Sequence, residues 1–294
     1  MTRVGIVTDS TACIPQPAAQ SLGIEIVPMT VILQGRQYLD GVDLDADEFY
    51  SMLTQAQTHP TTSHPPPGRY VQAYRRALAS HDAVVCFTLA AGLSGVFNSA
   101  VMARDMLPEA TVIVEDTGTA AGAQGLLTLA AARAAAGGAG PEEVVRLARA
   151  LAPRLRIYAA LSTLEYLARG GRLGKAAALL GRTLNLKPIL TLRDGMVYPA
   201  GQARSMGRVL ERLVELMGEE IPAECRVRCI VMHAAEPAAA TELADRLRAA
   251  YDCAEVHITG FTPVMGAHIG PGLIGVAFYG EPPGSEAGEF CLVL

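Results

Sequence analysis

Short apolar, β-branched runs alternate with helical patterns through the first half of this chain, and no other feature limits its fold as much. RVGIVTD (3–9), DAVVCFTL (82–89) and TVIVED (111–116) read as buried strands. IEIVPMTVIL (24–33) is a β-branched run interrupted by Pro28. Helical patterns at 68–80, 94–107 and 118–136 lie between strands, and Asp45 or Asp47 is placed to cap a short helix in the acidic stretch 40–53. Strands separated by helices need crossover connections, so the expected sheet is parallel and covered by helices on both faces.

The second half mixes this pattern with a hairpin. Pro141 restarts a helix after GGAG. A strand at 155–161 and a short helix at 162–171, ended by glycines, precede a helical stretch at 176–184. Residues 185–201 read as a hairpin turning at Asp194–Gly195. A helix at 205–218, a strand at 227–233, a helix at 237–251 and strands at 254–260 and 273–280 complete the chain. The 294 residues suffice for two domains. The border is expected near 150–160, giving domains 1–155 and 156–294. The predicted class is α/β, with an N-terminal parallel sheet and a C-terminal mixed-sheet α/β domain.

Hydrophobic residues make up 50% and charged residues 18%, which excludes disorder as the main state. Trp is absent and aromatics are 5%, so the core must be Ala, Leu, Val and Ile. A net charge of −5 argues against a general nucleic-acid binder. The Ala- and Gly-rich stretch 118–140 contains Gln124 and Arg133 and reads as a buried helix, not a transmembrane segment. The N-terminus runs straight into a strand without a signal peptide, so a cytoplasmic protein is expected. Cys225 and Cys229 read as neighbours on one strand face, and the six cysteines as core thiols with no metal.

Several motifs bear chemistry. VTDST (7–11) follows a strand, where open α/β sheets place ligands. A dehalogenase-type phosphatase would need a second Asp two residues after Asp9, and Thr11 stands there. The plain alternative is a turn in which Asp9 and Ser10 bind backbone amides. HPTTSHPPPG (59–68) carries Thr61, Thr62 and Ser63 on a Pro-stiffened loop, either an anion site or a simple connector. Ser94 would be a nucleophile if Val96 were Gly; the broken elbow favours Ser94 as a helix N-cap beside an anion-binding helix start. ARGGRLGKA (168–176) fails as a nucleotide loop at both ends but leaves Arg172 on a glycine turn. Arg204 lies between a strand and a helix, and His268 in a segment that reads as too Gly-rich for a helix.

Taken together these segments resemble the DegV family of bacterial fatty-acid-binding proteins. The resemblance is carried by VTDST, the strand around Pro28, YLDGVDLDADEFY (38–50), PTTSHPPPGRYVQAY (60–74), GLSGVFNSA (92–100), TLEYLARGGRLG (163–174), LNLKPIL (184–190), Ala203–Arg204 and GAHIGPG (266–272). It implies two α/β domains with a ligand tunnel between them, holding a long-chain fatty acid such as palmitate, stearate or oleate and no cofactor. Thr62 and Ser94 would bind the carboxylate, with Ser63 and Gly95 adjacent. Arg204 and His268 match positions linked to head-group chemistry and partner engagement, and Arg172 is a weaker match. The resemblance further implies a non-catalytic carrier that presents its acid to a fatty acid kinase, for acyl phosphate and phospholipid synthesis, and leaves transient membrane contact open. Ala90 and Ala91 stand where the family often has hydroxyls, and His64 where Gln is usual.

Elementary energetics suit such a ligand. A buried carboxylate needs several donors. Burying about 14 methylenes gains on the order of 11 kcal/mol at ~0.8 kcal/mol each. The competing readings are a hydrolase or phosphatase using Asp9 or Ser94, and a sugar-kinase-like subunit, which lacks a nucleotide loop.

Overall fold

The structure, a computed structural model, describes residues 2–179 and 186–283. The first half runs β1 (Val4–Asp9), α1 (Gln16–Ser21), β2 (Glu25–Val27), β3 (Thr30–Leu33), β4 (Arg36–Leu39), α2 (Ala46–Gln55), β5 (Thr61–Ser63), α3 (Pro67–Leu78), β6 (Ala83–Thr88), α4 (Val96–Asp105), β7 (Val112–Asp116), α5 (Ala121–Ala136) and α6 (Pro141–Leu151). Strands β2, β1, β6 and β7 form, in that order, a four-stranded parallel sheet. Every residue of β1 and β6 is buried. Successive side chains on a strand point to opposite faces, so both faces of this sheet are covered. The helices pair on it, α3 with α4 and α5 with α6.

The run at 24–33 is divided between two sheets. The chain leaves the parallel sheet at Pro28, and β3 pairs antiparallel with β4 and β5 in a small separate sheet. The Thr-Thr-Ser segment is therefore a short edge strand rather than a free loop, as suits two β-branched residues between Pro60 and Pro65.

The second half runs β8 (Arg156–Ala160), α7 (Glu165–Arg169), β9 (Lys187–Arg193), β10 (Met196–Ala203), α8 (Met206–Gly218), β11 (Arg226–His233), α9 (Pro237–Ala250), β12 (Cys253–Gly260), α10 (Pro263–Ile269) and β13 (Ile274–Glu281). The sheet order is β10-β9-β8-β13-β11-β12, parallel only between β11 and β12. It is the expected mixed sheet. Asp194 and Gly195 both have positive φ, 49° and 69°, the turn that a two-residue hairpin favours.

Helix α5 joins the halves. It packs on the parallel sheet through β1 and on the mixed sheet through β11 and β13. Buried on nearly every side, it carries apolar residues all round, save for Gln124, Thr128 and Arg133. One hydrophobic core runs from Val4 to Tyr279 across this layer, and a second lies on the far side of the mixed sheet against α8 and α9.

Four expectations need correction. Residues 263–269 are a helix, not a loop, because Pro263 opens its first turn and Gly266 is required by close packing instead of flexibility. Ser94 is not the cap of α4: the cap position falls one residue later, on Gly95, which has no side chain to cap with, and the helix starts at Val96. The described part of 176–184 lies in a 3-10 helix, Gly174–Leu179; residues 180–185, including the start of LNLKPIL, lie outside the described residues. Cys225 lies just before β11 and is in a disulfide, so it is neither a core thiol nor a strand partner of Cys229. Cys13, Cys86, Cys229 and Cys253 are free thiols, and Cys291 lies outside the described residues.

Candidate functional site

The C-terminal end of the parallel sheet is organised by Asp9. Its carboxylate accepts from the backbone N–H of Thr11 at 3.0 Å, the backbone N–H of Leu89 at 2.9 Å and Gln124 Nε2 at 3.1 Å, besides a short bond from the Thr11 hydroxyl. Ser10 Oγ accepts from Met29 N at 3.1 Å. VTDST is thus a turn that binds backbone amides. Asp9 is completely buried, and burial raises its pKa. Its oxygens are occupied, and it is not in the wall of the cavity described next. The bond to Leu89 fixes the start of the loop that carries Ser94.

Between the two large sheets lies a cavity of about 900 Å³ with the open space at its mouth included. Leu89 and Ala120 line it from the first half, and Ile157, Leu190, Phe261 and Leu273 from the second. Ile157 and Ala159 alternate along β8 and Leu161 follows just past its end, so one face of that strand forms wall. The wall is overwhelmingly apolar.

Thr62, Ser94, Arg172 and His268 also line the cavity. Thr62 Oγ1 and His268 Nε2 are 2.8 Å apart, linking β5 to α10 across 206 positions of sequence. His268 Nδ1 is buried without a partner, packed where a Cβ on Gly170 would come within 2.5 Å of it. Burial, with the Arg172 cation and His59 nearby, pushes the imidazole down to about 4, so it is neutral near pH 7. With its proton on Nε2 it would donate to Thr62, leaving the Thr62 hydroxyl free to donate into the cavity. Arg172 Nε donates to Leu93 O at 3.2 Å and its Nη1 to Gly170 O at 2.5 Å, which ties the glycine turn to the Ser94 loop.

The structure thus brings together four of the expected residues. Gly95 adjoins Ser94 as the first residue of the α4 cap, with the His64 ring against it. Ser63 is exposed and outside the cavity wall. Arg204 is exposed in the bend between β10 and α8, also outside it. Thr11 lines the cavity, which the reading of VTDST through Asp9 alone missed. Among the described residues no cluster of His, Cys, Asp and Glu could hold a metal, and no helix is long and apolar enough to cross a membrane.

An apolar cavity with hydroxyls, a neutral imidazole and a guanidinium at one place in its wall can take an elongated apolar molecule with an anionic end. Comparison with known proteins agrees. The model of the uncharacterised DegV family matches residues 3–281. A DegV domain-containing protein of Streptomyces coelicolor is 39% identical over 275 residues, 93% of this chain and 97% of its own. A DegV family protein from Thermus thermophilus, described for its fatty acid binding, is 32% identical with a TM-score of 0.88, covering 95% of this chain and 99% of its own. DegV of Bacillus subtilis, described as a fatty acid binding protein, is 31% identical with a TM-score of 0.85, covering 95% and 99%. Matched over nearly its whole length by family model, sequence and fold, the chain belongs to the DegV family.

Proposed function

We propose that this protein binds one long-chain fatty acid, such as palmitate, stearate or oleate, with the acyl chain in the cavity between the sheets. The observation that carries this reading is the polar cluster of Thr62, Ser94, Arg172 and His268 in a wall that is apolar elsewhere save for Thr11 and Thr191. The carboxylate takes hydrogen bonds from the Thr62 and Ser94 hydroxyls, and neutral His268 orients Thr62. Ser63 and Gly95 support these two positions from outside the wall. The halves 1–155 and 156–294 act as the two domains enclosing the ligand.

The protein is a carrier in this reading, not an enzyme, and works in the cytoplasm with only transient membrane contact. A partner fatty acid kinase phosphorylates the presented carboxylate, and the acyl phosphate passes to phospholipid synthesis. Arg204, exposed outside the cavity, serves that partner. The fold of the family's fatty-acid-binding relatives supports the binding step; the kinase step rests on resemblance alone.

Solvent extraction and mass spectrometry of protein purified from a bacterial host test the reading. Bound long-chain fatty acid, such as palmitate, stearate or oleate, is expected by resemblance to the family's fatty-acid-binding members. Lipid-free protein that also takes up neither palmitate nor oleate would contradict it.

A further inference from the structure

No residue of the 38–50 motif lines the cavity, yet its Asp40 is only 2% exposed. A buried carboxylate is costly unless hydrogen-bonded. Asp40 Oδ1 accepts from the backbone N–H of Val264 at 3.0 Å. Val264 is the second residue of α10. Pro263 before it has no N–H, and Thr262, at the cap position, makes no side-chain cap bond. Asp40 therefore supplies from another part of the chain the acceptor that an N-cap side chain would normally provide.

The rest of the motif completes a seat for the same helix. A Cβ on Gly266 would come within 2.6 Å of Phe49 Cε1 and 2.7 Å of Tyr50 Oη. Tyr50 Oη donates to Phe261 O, just before the helix, at 3.3 Å. A seven-residue helix does not hold itself in water. Its placement comes from these contacts, and His268 lies one turn beyond Val264.

We propose that Asp40 is a positioning residue of the polar end of the cavity: by holding the Val264 N–H it sets where α10 begins, and so sets His268 Nε2 against the Thr62 hydroxyl. Its effect on ligand affinity rests on the fatty-acid reading above; its effect on His268 does not.

The test joins binding to spectroscopy. Oleate is titrated into delipidated protein by calorimetry, and the His268 imidazole is followed by NMR in lipid-free protein, its signal assigned by its loss in His268→Ala. Asp40→Ala is expected to shift the His268 signal and to weaken oleate binding about fivefold, the size of one lost cap. Asp40→Asn keeps an acceptor oxygen and should restore both. In the His268→Ala background, Asp40→Ala should weaken binding less than about twofold further, because residues acting through one contact are not additive. An unmoved His268 signal, or the full loss repeated in that background, overturns the proposal. Should Asp40→Ala not fold, Asp40→Ser, whose shorter side chain leaves Val264 N unbound, is judged by the same outcomes. If the unaltered protein takes up no oleate, the binding reading fails, while the His268 signal still decides the role of Asp40.

Discussion

Ser94 shows what a single residue's position changes. As a helix cap its loss would cost both binding and fold; with Gly95 in the cap position, its hydroxyl is left to the cavity. Ser94→Ala should therefore weaken fatty-acid binding by about 1.5–3 kcal/mol, roughly ten- to a hundredfold, as for one hydrogen bond to a charged group. Its thermal melt should stay at the wild-type value. Unchanged affinity would remove Ser94 from the site, and a lowered melt would restore its capping role. Asp40 carries a different prediction. Burial lifts its carboxyl from 3.8 to about 6. The titratable groups facing it are Asp9, Cys13 and Tyr50, all raised by burial themselves. The folded state thus holds the Asp40 proton more tightly than the unfolded state does. This stabilisation is complete below about pH 4 and is lost as pH rises to about 6. Asp40→Asn, which does not titrate, should gain on the wild type across that window by up to roughly 3 kcal/mol, at 1.36 kcal/mol per pKa unit. Denaturant melts at pH 4, 5, 6 and 7 measure the difference, and a difference constant with pH would place the titration elsewhere. Thr62, Ser94 and Arg172 were legible in the sequence because hydroxyls and a cation on turns flanked by Pro and Gly are visible locally. The bond from Thr62 to His268 was not, since it joins positions 206 residues apart.

At the scale of elements, period and propensity served well wherever burial was uniform. The parallel strands and α5 are continuous apolar runs because both sides of each are covered, and that pattern is visible without coordinates. Helix α10 was hidden for the opposite reason. Gly266, Gly270 and Gly272 look like loop punctuation, but Gly266 answers to the rings of Phe49 and Tyr50, which no local pattern reveals. The same logic applies within α5. A Cβ on Gly125 would come within 2.5 Å of the Ala12 carbonyl oxygen, at the 3-10 turn after β1, and 3.3 Å from Ile14 Cγ1 and Ile230 Cδ1. Ala is intrinsically the better helix former by about 1 kcal/mol, but backbone cannot yield as a flexible side chain can. Gly125→Ala should therefore destabilise the protein by about 1–3 kcal/mol, the usual size of overpacking. A denaturant midpoint at or above the wild type's would show that propensity outweighs the clash and that α5 can shift between the sheets.

For the whole molecule, the cavity depends on both halves, and the hairpin of β9 and β10 is the piece that spans them. Its tip donates from Gly195 N to Gly118 O at 2.9 Å, and Gly195 O lies 3.3 Å from where a Cβ on Gly92, in the Ser94 loop, would be. Its strands supply Leu190, Leu192 and Val197 to the wall. At the hairpin's far end the chain bends into α8, and Arg204 sits exposed in that bend. A carrier whose ligand is to be phosphorylated must offer a surface to the enzyme that does it. Arg is suited to bidentate contact with a partner's carboxylate or with phosphate oxygens, and a cation outside the cavity wall can serve that contact without holding the ligand. Arg204→Ala should therefore retain most fatty-acid binding while sharply reducing acyl-phosphate formation by a cognate fatty acid kinase with ATP. Lipid content and kinase-dependent acyl phosphate, measured in parallel on the same preparation, separate the two. Loss of lipid binding outright would place Arg204 in the primary site. Full kinase turnover would show that it has no part in hand-over, and would leave His268, already at the polar wall beside Thr62, as the better residue for that step.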